Sequence, residues 1–551
     1  MPQKYIFVSG GVLSGLGKGV TAASIGLLLQ QRGYKVTPVK CENYINLDSG
    51  LINPIEHGDP FLCDDGTEAD MDMGTYEKFL NKNVGKHNFL TMGQIYKSVI
   101  DREREFKYGG EDVEAVPHVT DEIIKRIKEA GKKENADIVI VELGGTTGEY
   151  QNALYYEASR IMKLVHKDTV VHVHVSYLPT PSHLGEPKTK PTQLSVRYLN
   201  SMGIQPDFIL CRSEKVLDKR RRERLAMFCN VETEAVINNP DEKTIYQVPL
   251  TFSEQKLDEK ILRKLDLPVR KVNLQDWQTF LAKLTRLNKN LKVAVVGKYF
   301  STGDYQLRDS YAALFDALDH AAWNSGAKIE TVWINSEHFE ENKELLKTVQ
   351  GVIVPIGWGK RGTEGMIKAI QFARENKIPY LGLCYGMQLA AVEFARHVAK
   401  LKNADSVECN PKSPHLIIHT NPMQKENIKR RAYGGTMRLG NWDCQVFENT
   451  IALEAYKKYS WPISKNNVVS ERHRHRFEFN DQFAKVLTQK GLVISGRSVV
   501  ENLVEIIELP RSIHPFFVGT QYHPEYKSKP LSPHPLFLEF IKACLANKST
   551  T

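Results

Sequence analysis

The chain has 551 residues, of which 41% are hydrophobic and 25% are charged, and its formal net charge is +9. This length predicts at least two domains of an ordinary globular protein, and a membrane protein is excluded because no apolar run approaches the ~18 residues that a span needs. The positive charge suits phosphate-bearing ligands, but its densest run, residues 219–224 (KRRRER), lacks the interleaved aromatic residues of a nucleic-acid module and is interpreted as a solvated helix face.

The first predicted element is a phosphate-binding loop. Residues 5–8 (YIFV) form an apolar strand pattern that leads into five glycines around Lys18, and a helical pattern follows at residues 22–29. Backbone N–H groups and the positive end of the helix dipole converge on an anion there, and Lys18 would reach the outer phosphates. The standard pattern has Ser or Thr directly after Gly-Lys, whereas this chain has Gly19 there and Thr21 two residues later. We therefore predict an ATP site in a deviant P-loop.

Short apolar strands alternate with helical patterns through the first half of the chain. The predicted strands span residues 4–9, 34–40, 138–143, 170–175 and 208–211, and the predicted helices span residues 22–32, 93–106, 120–130 and 188–202. This alternation predicts an α/β fold in which helices cover both faces of a mainly parallel sheet. Ligands of such sheets bind at the carboxyl ends of the strands.

Charged residues lie at those strand ends. Lys40 ends the second strand and is expected to share a crevice with Lys18, where two amines would neutralise charge on a transferring phosphoryl group. The acidic residues 64–72 (DDGTEADMD) and Glu142 supply the oxygen ligands that Mg²⁺ takes. We therefore predict Asp72 and Glu142 as metal ligands; the alternative is that the acidic run is an exposed loop.

A further pair of lysines lies in residues 188–193 (KTKPTQ), beside a proline that fixes the turn. Two interpretations of this segment are possible: it holds a triphosphate, or it is a helix entry with solvated lysines. The spacing of the residues leaves both open.

Composition divides the chain into two predicted domains. In residues 267–290 the strand and helix patterns fade and Pro, Lys and Asn become frequent, which predicts a linker. This linker separates a first domain at residues 1–266 from a second α/β domain at residues 291–551. The eight cysteines form no C-x-x-C pair, which disfavours a zinc site and a disulfide framework. Because the chain enters a strand pattern directly, we expect no signal peptide and predict a cytoplasmic protein.

The second domain carries a predicted nucleophile. Residues 379–388 (PYLGLCYGMQ) run from a strand through Gly-x-Cys-x-Gly into a helix, which predicts that Cys384 is exposed on an elbow at a helix N-terminus. His523 and Glu525 follow a predicted strand and supply a base and the carboxylate that orients it. Backbone N–H groups of Tyr385 and of residues 355–359 (PIGWG) are candidate oxyanion donors.

Nine motifs, in this order and spacing, resemble the CTP synthase family over nearly the whole chain. They are SGLGKG (14–19), EHG (56–58), VELGGTTGE (141–149), KTKPTQ (188–193), RGTEGM (361–366), GLCYGMQ (382–388), GGTMRLG (434–440), ERHRHRFE (471–478) and HPE (523–525). The resemblance implies an N-terminal P-loop-type amidoligase (synthetase) domain and a C-terminal class I glutamine amidotransferase domain. It also implies that Mg-ATP phosphorylates the uracil O4 of UTP and that ammonia from glutamine, passing through an internal tunnel, displaces the phosphate to give CTP. Implied regulation is activation by GTP and inhibition by CTP, in a homotetramer whose nucleotide sites form between subunits and which assembles into filaments in some members.

The same resemblance implies the roles of individual residues, with Arg224 standing where the family has a lysine. It implies Lys18, Lys40, Cys384, His523 and Glu525 as catalytic residues; Ser14, Gly15, Leu16, Gly17, Lys18, Gly19 and Asp72 in the ATP site; and Ser14, Glu149, Tyr150, Gln151, Lys188, Thr189, Lys190, Gln193 and Arg224 in the UTP and CTP site. It implies Gly357, Tyr385, Gln388, Glu408 and Arg474 as glutamine-binding residues; Arg361, Gly362 and Glu364 as GTP-related residues; and Asp72 and Glu142 as magnesium ligands.

Three segments depart from the family pattern and leave alternatives open. Ile356 stands in a loop that is usually Gly-Gly-Phe-Gly, Tyr385 replaces a leucine, and residues 41–43 (CEN) replace an Asp-Pro segment. Because isoleucine disfavours the positive φ that glycine permits, an ammonia-dependent synthetase with a weak glutaminase is one alternative. A P-loop amidoligase that acts on a carboxylate is another, and a filament-forming scaffold without turnover is the third.

Overall fold

The computed structural model describes residues 2–54, 58–299, 301–302, 305–306, 308–421 and 424–547. The chain forms two compact units, Met1–Leu47 with Asp72–Asp276 and Asp48–Met71 with Trp277–Thr551. The segment Asp48–Met71 therefore belongs to the second unit, although in sequence it lies inside the first predicted domain. Glu56 and His57 of the EHG motif lie outside the described residues.

The elements of the first 284 residues agree closely with the predicted alternation of strands and helices. The described strands are β1 (Lys4–Gly11), β2 (Val36–Glu42), β3 (Phe61–Leu62), β4 (Glu68–Ala69), β5 (Phe89–Thr91), β6 (Ile138–Leu143), β7 (Val170–Tyr177), β8 (Phe208–Ser213) and β9 (Val236–Pro240). The described α-helices are α1 (Lys18–Gln31), α2 (Asp72–Leu80), α3 (Met92–Arg104), α4 (Thr120–Lys133), α5 (Ala153–Val165), α6 (Lys190–Ser201), α7 (Lys219–Cys229), α8 (Val248–Glu254), α9 (Leu257–Lys264) and α10 (Gln275–Leu284).

The first unit is built on a seven-stranded sheet in the order β5-β2-β6-β1-β7-β8-β9, and its neighbouring strands pair in parallel. The strands are runs of mostly apolar, often β-branched residues that are buried on both faces of the sheet, as in IVIVEL of β6. Parallel sheets require this burial because their crossover helices cover both faces. The predicted α/β fold with a parallel sheet is confirmed.

Two ambiguous segments of the first unit are helical. The KTKPTQ segment enters α6, which begins at Lys190 with Pro191 in its first turn, as the helix-entry interpretation predicts. The basic run opens α7, whose N-cap Asp218 accepts a hydrogen bond from Arg221 N at 2.9 Å, and most of the run is solvent exposed. The solvated-face interpretation of this run therefore agrees with the structure.

The second unit contains a larger mixed sheet. Its remaining strands are β10 (Lys289–Gly297), β11 (Ser301–Thr302), β12 (Tyr305–Gln306), β13 (Ala327–Asn335), β14 (Gly351–Val354), β15 (Tyr380–Leu383), β16 (Asp405–Ser406), β17 (Leu416–Thr420), β18 (Arg438–Val446), β19 (Val468–His475), β20 (Phe477–Phe479), β21 (Val493–Ser498), β22 (Val504–Leu509) and β23 (Phe517–Thr520). Its helices after α10 are α11 (Ala312–Asn324), α12 (Phe339–Asn342), α13 (Thr363–Glu375), α14 (Tyr385–His397), α15 (Lys425–Lys429), α16 (Ile451–Lys458), α17 (Ala484–Thr488) and α18 (Pro535–Ala546).

The nine strands of this sheet run in the order β13-β10-β14-β15-β23-β22-β21-β18-β19. Pairing is parallel from β13 to β23 and antiparallel from β23 to β19. Four adjacent parallel strands, β10, β14, β15 and β23, therefore end at one edge of the sheet. The segments that follow β14, β15 and β23 carry the predicted oxyanion loop, Cys384, and His523 with Glu525.

Three further features bear on the sequence predictions. Part of the predicted linker forms α10, which buries Trp277, Phe280 and Leu281. Among the helices that the structure describes, none is both long enough and apolar enough to cross a membrane. The eight cysteines are all buried and unpaired with one another.

Candidate functional site

The phosphate loop joins β1 to α1 in the first unit. Gly15 and Gly17 have φ angles of +73° and +80°, a left-handed conformation that glycine adopts without strain, and Gly17 is the N-cap of α1. A Cβ atom on Gly19 would lie 1.9 Å from Asp72 Oδ1. The carboxylate therefore occupies the space that the standard Ser or Thr would need. Thr21 is fully buried.

Lys40 is the centre of a charged cluster beside this loop. Its Nζ lies 2.8 Å from Glu142 Oε1 and 3.3 Å from Glu42 Oε1, and it also bonds Asp72. Lys18 Nζ donates to the Gly145 carbonyl at 2.8 Å. The structure thus brings both predicted lysines and both predicted metal ligands to the carboxyl ends of β2 and β6.

Burial and charge shift the titration of these groups. Burial, reinforced by the charge of Asp72, raises the pKa of Glu142 to about 7. Burial also raises the pKa of Asp72, but the charge and hydrogen bond of Lys40 outweigh it, and the pKa lies below its usual range. Burial lowers the pKa of Lys18. Asp72 and Glu142 therefore place two interacting carboxylates close together at this site.

The arrangement of these carboxylates can be compared with what the predicted magnesium site requires. In the described part of the chain, no group of three or more His, Cys, Asp or Glu side chains is placed to hold a metal ion. Mg²⁺ keeps several waters and is commonly bound by one or two carboxylates plus substrate phosphates. A buried carboxylate pair beside a phosphate loop fits that donor set, so Asp72 and Glu142 suit a nucleotide-bound Mg²⁺.

Sequence reasoning missed two members of this cluster. Tyr76 OH donates to Glu142, and Tyr76 lies four residues after Asp72 on α2, so the two share a helix face. Glu42 belongs to the segment that departs from the family pattern, and its carboxylate faces Lys40. The end of strand β2 could therefore have indicated Glu42 from sequence, and the four-residue helical spacing from Asp72 could have indicated Tyr76.

The predicted pyrimidine-nucleotide residues differ in exposure. Glu149 is held by Thr146 N at 2.6 Å and Asn43 Nδ2 at 3.1 Å, whereas the next residue, Tyr150, is 98% exposed. Around the start of α6, Lys188 bonds Glu186 Oε1 at 2.5 Å, Gln193 donates to Thr189 Oγ1 at 3.2 Å, and Lys190 is exposed. On α7, the Arg224 guanidinium lies over the Phe228 ring at 5.8 Å. Ser14 and Gln151 are also exposed. These side chains are available to a polyphosphate or to another molecule.

The predicted nucleophile elbow is present in the second unit. Cys384 follows β15 with φ +50° and ψ −95° and is the N-cap of α14. A positive φ in a residue with a side chain marks strain of the kind that holds a nucleophile on a sharp strand-to-helix turn. The expectation of exposure is wrong, because Cys384 is only 3% exposed.

The predicted base and its partner lie beyond β23. His523 Nδ1 and Glu525 Oε1 are 2.7 Å apart, and both side chains are buried. Burial lowers the pKa of His523, but the charges of Glu525 and then of Cys384 outweigh it and raise the pKa to about 10. The His523 imidazole is therefore protonated at neutral pH, and it interacts with the Cys384 side chain.

The loop at residues 355–359 is held by a lysine that sequence reasoning missed. Lys298 follows β10, and its Nζ donates to the carbonyls of Trp358, of Gly359 at 2.8 Å and of Arg361 at 3.1 Å. Burial lowers the pKa of this lysine to about 8. Three carbonyls on one ammonium group fix the backbone of the loop.

Two of the three departures from the family pattern, Ile356 and Tyr385, lie at this loop. Tyr385 OH donates to the Gly359 carbonyl at 2.9 Å, and a Cβ on Gly357 would lie 3.0 Å from the Tyr385 ring. Ile356 is buried in the apolar core and does not adopt a positive φ. The tyrosine therefore fastens the loop in a shape that isoleucine tolerates.

Two of the predicted glutamine-binding residues, Glu408 and Arg474, line a cavity of about 460 Å³. Trp358 and residues 50–54 also line it. Gly359 N donates to Glu408 Oε1 at 2.7 Å, and burial raises the pKa of Glu408. Arg474 Nε lies 2.7 Å from Glu68 Oε1. Gly357, Tyr385 and Gln388 lie outside the lining of this cavity.

The three residues predicted to be GTP-related line a separate cavity of about 490 Å³. Arg361 pairs with Glu337 at 2.8 Å, Gly362 is the N-cap of α13 with φ +68°, and Glu364 pairs with Arg396 at 2.9 Å. The structure thus places these residues together at the start of one helix.

Arg472 links the segment Asp48–Met71 to the turn that carries His523. Its Nε lies 2.6 Å from Asp64 Oδ1, its carbonyl accepts from His523 N at 2.8 Å, and its Nη1 donates to the Tyr526 carbonyl at 3.2 Å. Tyr526 OH in turn donates to Asp59 Oδ2 at 3.0 Å. A fully buried arginine therefore holds both ends of the His-Pro-Glu turn.

The change Arg472→Met should lower the free energy of unfolding of the second unit by about 3 kcal/mol, because it removes a fully buried guanidinium that bonds both Asp64 and the Tyr526 carbonyl. All six tryptophans lie in the second unit, so denaturant unfolding followed by tryptophan fluorescence reports on it. The matched control is Arg430→Met, since Arg430 is 73% exposed and pairs with Glu426 four residues before it; it should cost at most about 0.5 kcal/mol. Equal effects of the two changes would contradict the role of Arg472.

Comparison with known proteins agrees with this geometry. Residues 4–267 match the family model of the CTP synthase N-terminus, and residues 306–543 match that of class I glutamine amidotransferases. A CTP synthase of Caldanaerobacter subterraneus subsp. tengcongensis is 48% identical over 545 residues, 98% of either chain, and one of Clostridium kluyveri is 44% identical over 551 residues, 100% of this chain and 99% of that one. A solved glutaminase domain of Trypanosoma brucei CTPS with bound acivicin is 30% identical, covers 47% of this chain and 95% of its own, and has a TM-score of 0.41. The chain belongs to the CTP synthase family of glutamine-hydrolysing ligases.

Proposed function

We propose that this protein converts UTP to CTP in pyrimidine nucleotide synthesis, with ATP activating the uracil ring and glutamine supplying the nitrogen. Its family membership supports this proposal, and one observation carries it. Each unit gathers reactive side chains beyond the carboxyl ends of its own parallel strands: two lysines with two carboxylates in the first, and a thiol with a paired imidazole in the second.

In the first half of the reaction, the γ-phosphoryl group of ATP passes to the uracil O4 of UTP. The ammonium groups of Lys18 and Lys40 would neutralise the charge that spreads over the phosphoryl oxygens. Asp72 and Glu142 would hold Mg²⁺, which when bound neutralises phosphate charge. Ammonia then adds at C4, and O4 leaves with inorganic phosphate, which gives CTP.

In the second half, the Cys384 thiolate attacks the side-chain amide carbon of glutamine. His523, charged beside Glu525, gives its proton to the nitrogen that leaves as ammonia. Water then hydrolyses the thioester and releases glutamate. Glu408 and Arg474 supply the opposite charges that the amino and carboxylate groups of a free amino acid require.

Recognition and regulation follow from the exposed polar residues. Lys188, Lys190 and Arg224 would bind the triphosphate of UTP, and CTP would inhibit by competing for the same residues. GTP would act at the cavity of Arg361, Gly362 and Glu364. The proposed assembly is a homotetramer that completes the nucleotide sites between subunits and extends into filaments.

A narrower function, ammonia-dependent synthesis with a weak glutaminase, is favoured by one observation. Lys298 and Tyr385 fasten the loop after Ile356, so a peptide in that loop that must turn its N–H toward an oxyanion is restrained. The ordered pairing of His523 with Glu525 argues for a working glutaminase.

Steady-state CTP formation from UTP and ATP, measured once with glutamine and once with ammonium chloride, separates these functions. We expect both nitrogen sources to support synthesis at rates within about tenfold of each other, because both halves of the site are assembled. Turnover with ammonium alone would favour the narrower function. Polymerisation without turnover of UTP would favour the scaffold, and turnover of a carboxylate substrate in place of UTP would favour the other amidoligase.

A further inference from the structure

We propose that Gln521 is a further catalytic residue of the glutaminase, and that its side-chain amide donates a hydrogen bond to the Cys384 sulfur. This inference rests on the proposed glutaminase function of the second unit. Gln521 directly follows β23 and is fully buried, and its backbone N donates to the Glu505 carbonyl at 2.8 Å. Its position is therefore fixed by the same strand that delivers His523.

The contact with the nucleophile is direct. Gln521 Nε2 lies 3.6 Å from Cys384 Sγ, which is hydrogen-bond distance for a sulfur acceptor. The Arg474 carbonyl also lies within hydrogen-bond distance of Sγ, at 3.9 Å. A carbonyl can only accept, so it suits the protonated thiol, whereas an amide N–H suits the thiolate.

A second glutamine determines which end of the Gln521 amide faces the sulfur. Gln388 Nε2 donates to the Phe477 carbonyl at 3.0 Å, and a carbonyl has no proton to give, so the amide of Gln388 must present its NH₂ group there. The same NH₂ group donates to Gln521 Oε1 at 3.2 Å. With its oxygen held by Gln388, Gln521 must turn its own NH₂ group toward Cys384.

This relay orients a donor at the atom that becomes charged. With His523 in its protonated form, the reacting sulfur is the Cys384 thiolate, and its negative charge is stabilised by the Gln521 N–H. The carbon–sulfur bond to glutamine then forms, the carbon–nitrogen bond breaks, and the His523 proton leaves with the ammonia. Because hydrogen bonds to charged groups are the strong ones, loss of this donor should slow the step about 10- to 100-fold.

Two variants test the donor while keeping the shape of the side chain. Gln521→Met removes the N–H and should lower the glutamine-driven kcat at least about tenfold, and Gln521→Glu places a carboxylate beside the sulfur and should lower it further. Neither should change ammonium-driven CTP formation, which also reports that the variant is folded. The matched control is Gln371→Met, whose amide bonds Glu375 on the surface of α13 and should leave both rates unchanged.

Alkylation gives a readout that does not depend on turnover. Iodoacetamide modifies the thiolate, so the rate at Cys384 at pH 7 should fall about tenfold in Gln521→Met, with Cys384→Ala protein as the background for the other seven cysteines. Alkylation and glutamine turnover equal to those of the unchanged protein would overturn the inference. If the unchanged protein does not use glutamine at all, the proposed function fails, and the alkylation rates still decide the role of Gln521.

Discussion

Cys384→Ala should abolish CTP formation from glutamine and leave CTP formation from ammonium chloride intact. We expect the glutamine-driven rate to fall by more than about 1,000-fold, because the thiol is the atom that forms the covalent intermediate. Removing one sulfur from a residue that is 3% exposed leaves only a small cavity. The measurement is a steady-state assay with ATP and UTP and each nitrogen source in turn.

The chain offers a matched control for this change. Cys544 is also a buried thiol of the second unit, on α18, and it contacts Gly351 rather than the elbow. Cys544→Ala should leave both rates close to those of the unchanged protein. Loss of ammonium-driven synthesis in a folded Cys384→Ala protein would contradict the division of labour between a nitrogen-releasing site and a nitrogen-accepting one.

The local part of each site could be predicted from sequence. A strand, a glycine turn and a helix follow one another without interruption at Lys18 and again at Cys384, so short-range rules place both residues at helix N-termini. The strand ends at Lys40, Glu142 and His523 are equally local signals. Parallel pairing then brings such ends to one edge of a sheet.

The parts that sequence reasoning missed depend on distant segments. Cys384 is buried because Arg474 and Gln521, 90 and 137 positions away, close around it, and no pattern near residue 384 reports their approach. Lys298 holds carbonyls about 60 residues downstream. The segment Asp48–Met71 packs with the second unit through Asp64 and Glu68, which pair with arginines more than 400 residues away. The predicted metal ligands are Asp72 and Glu142, and no sequence pattern indicates the ion pairs that the structure gives Asp64 and Glu68.

Because the segment Asp48–Met71 belongs to the second unit, the acidic residues 64–72 have two different structural roles. Asp64 and Glu68 bind arginines of the second unit, and Asp72, at the start of α2, bonds Lys40 in the first. Of Asp64, Glu68 and Asp72, it is Asp72 that bonds a lysine of the predicted phosphoryl-transfer site. A run of like charge had suggested one exposed loop or one metal site, and neither interpretation describes the whole segment.

Lys18→Ala should stop CTP formation from both nitrogen sources, because amination cannot begin until O4 carries a phosphoryl group. The Lys18 ammonium donates to the Gly145 carbonyl, and the charges of Glu142, Lys40 and Asp72 act on it. Removing one such preorganised charge costs about 100- to 1,000-fold in rate. The measurement is the same paired assay, with both rates expected to fall together.

Asp72→Asn should behave like Lys18→Ala and keep the fold, because the amide has nearly the same volume as the carboxylate packed against Gly19. The matched control is Lys35→Ala, an exposed lysine just before β2, which should leave both rates unchanged. A variant at Lys18 or Asp72 that lost glutamine-driven synthesis but retained the ammonium-driven rate would place these residues in ammonia release. That result would contradict a phosphoryl-transfer site in the first unit, since a defect in activating UTP must affect both nitrogen sources equally.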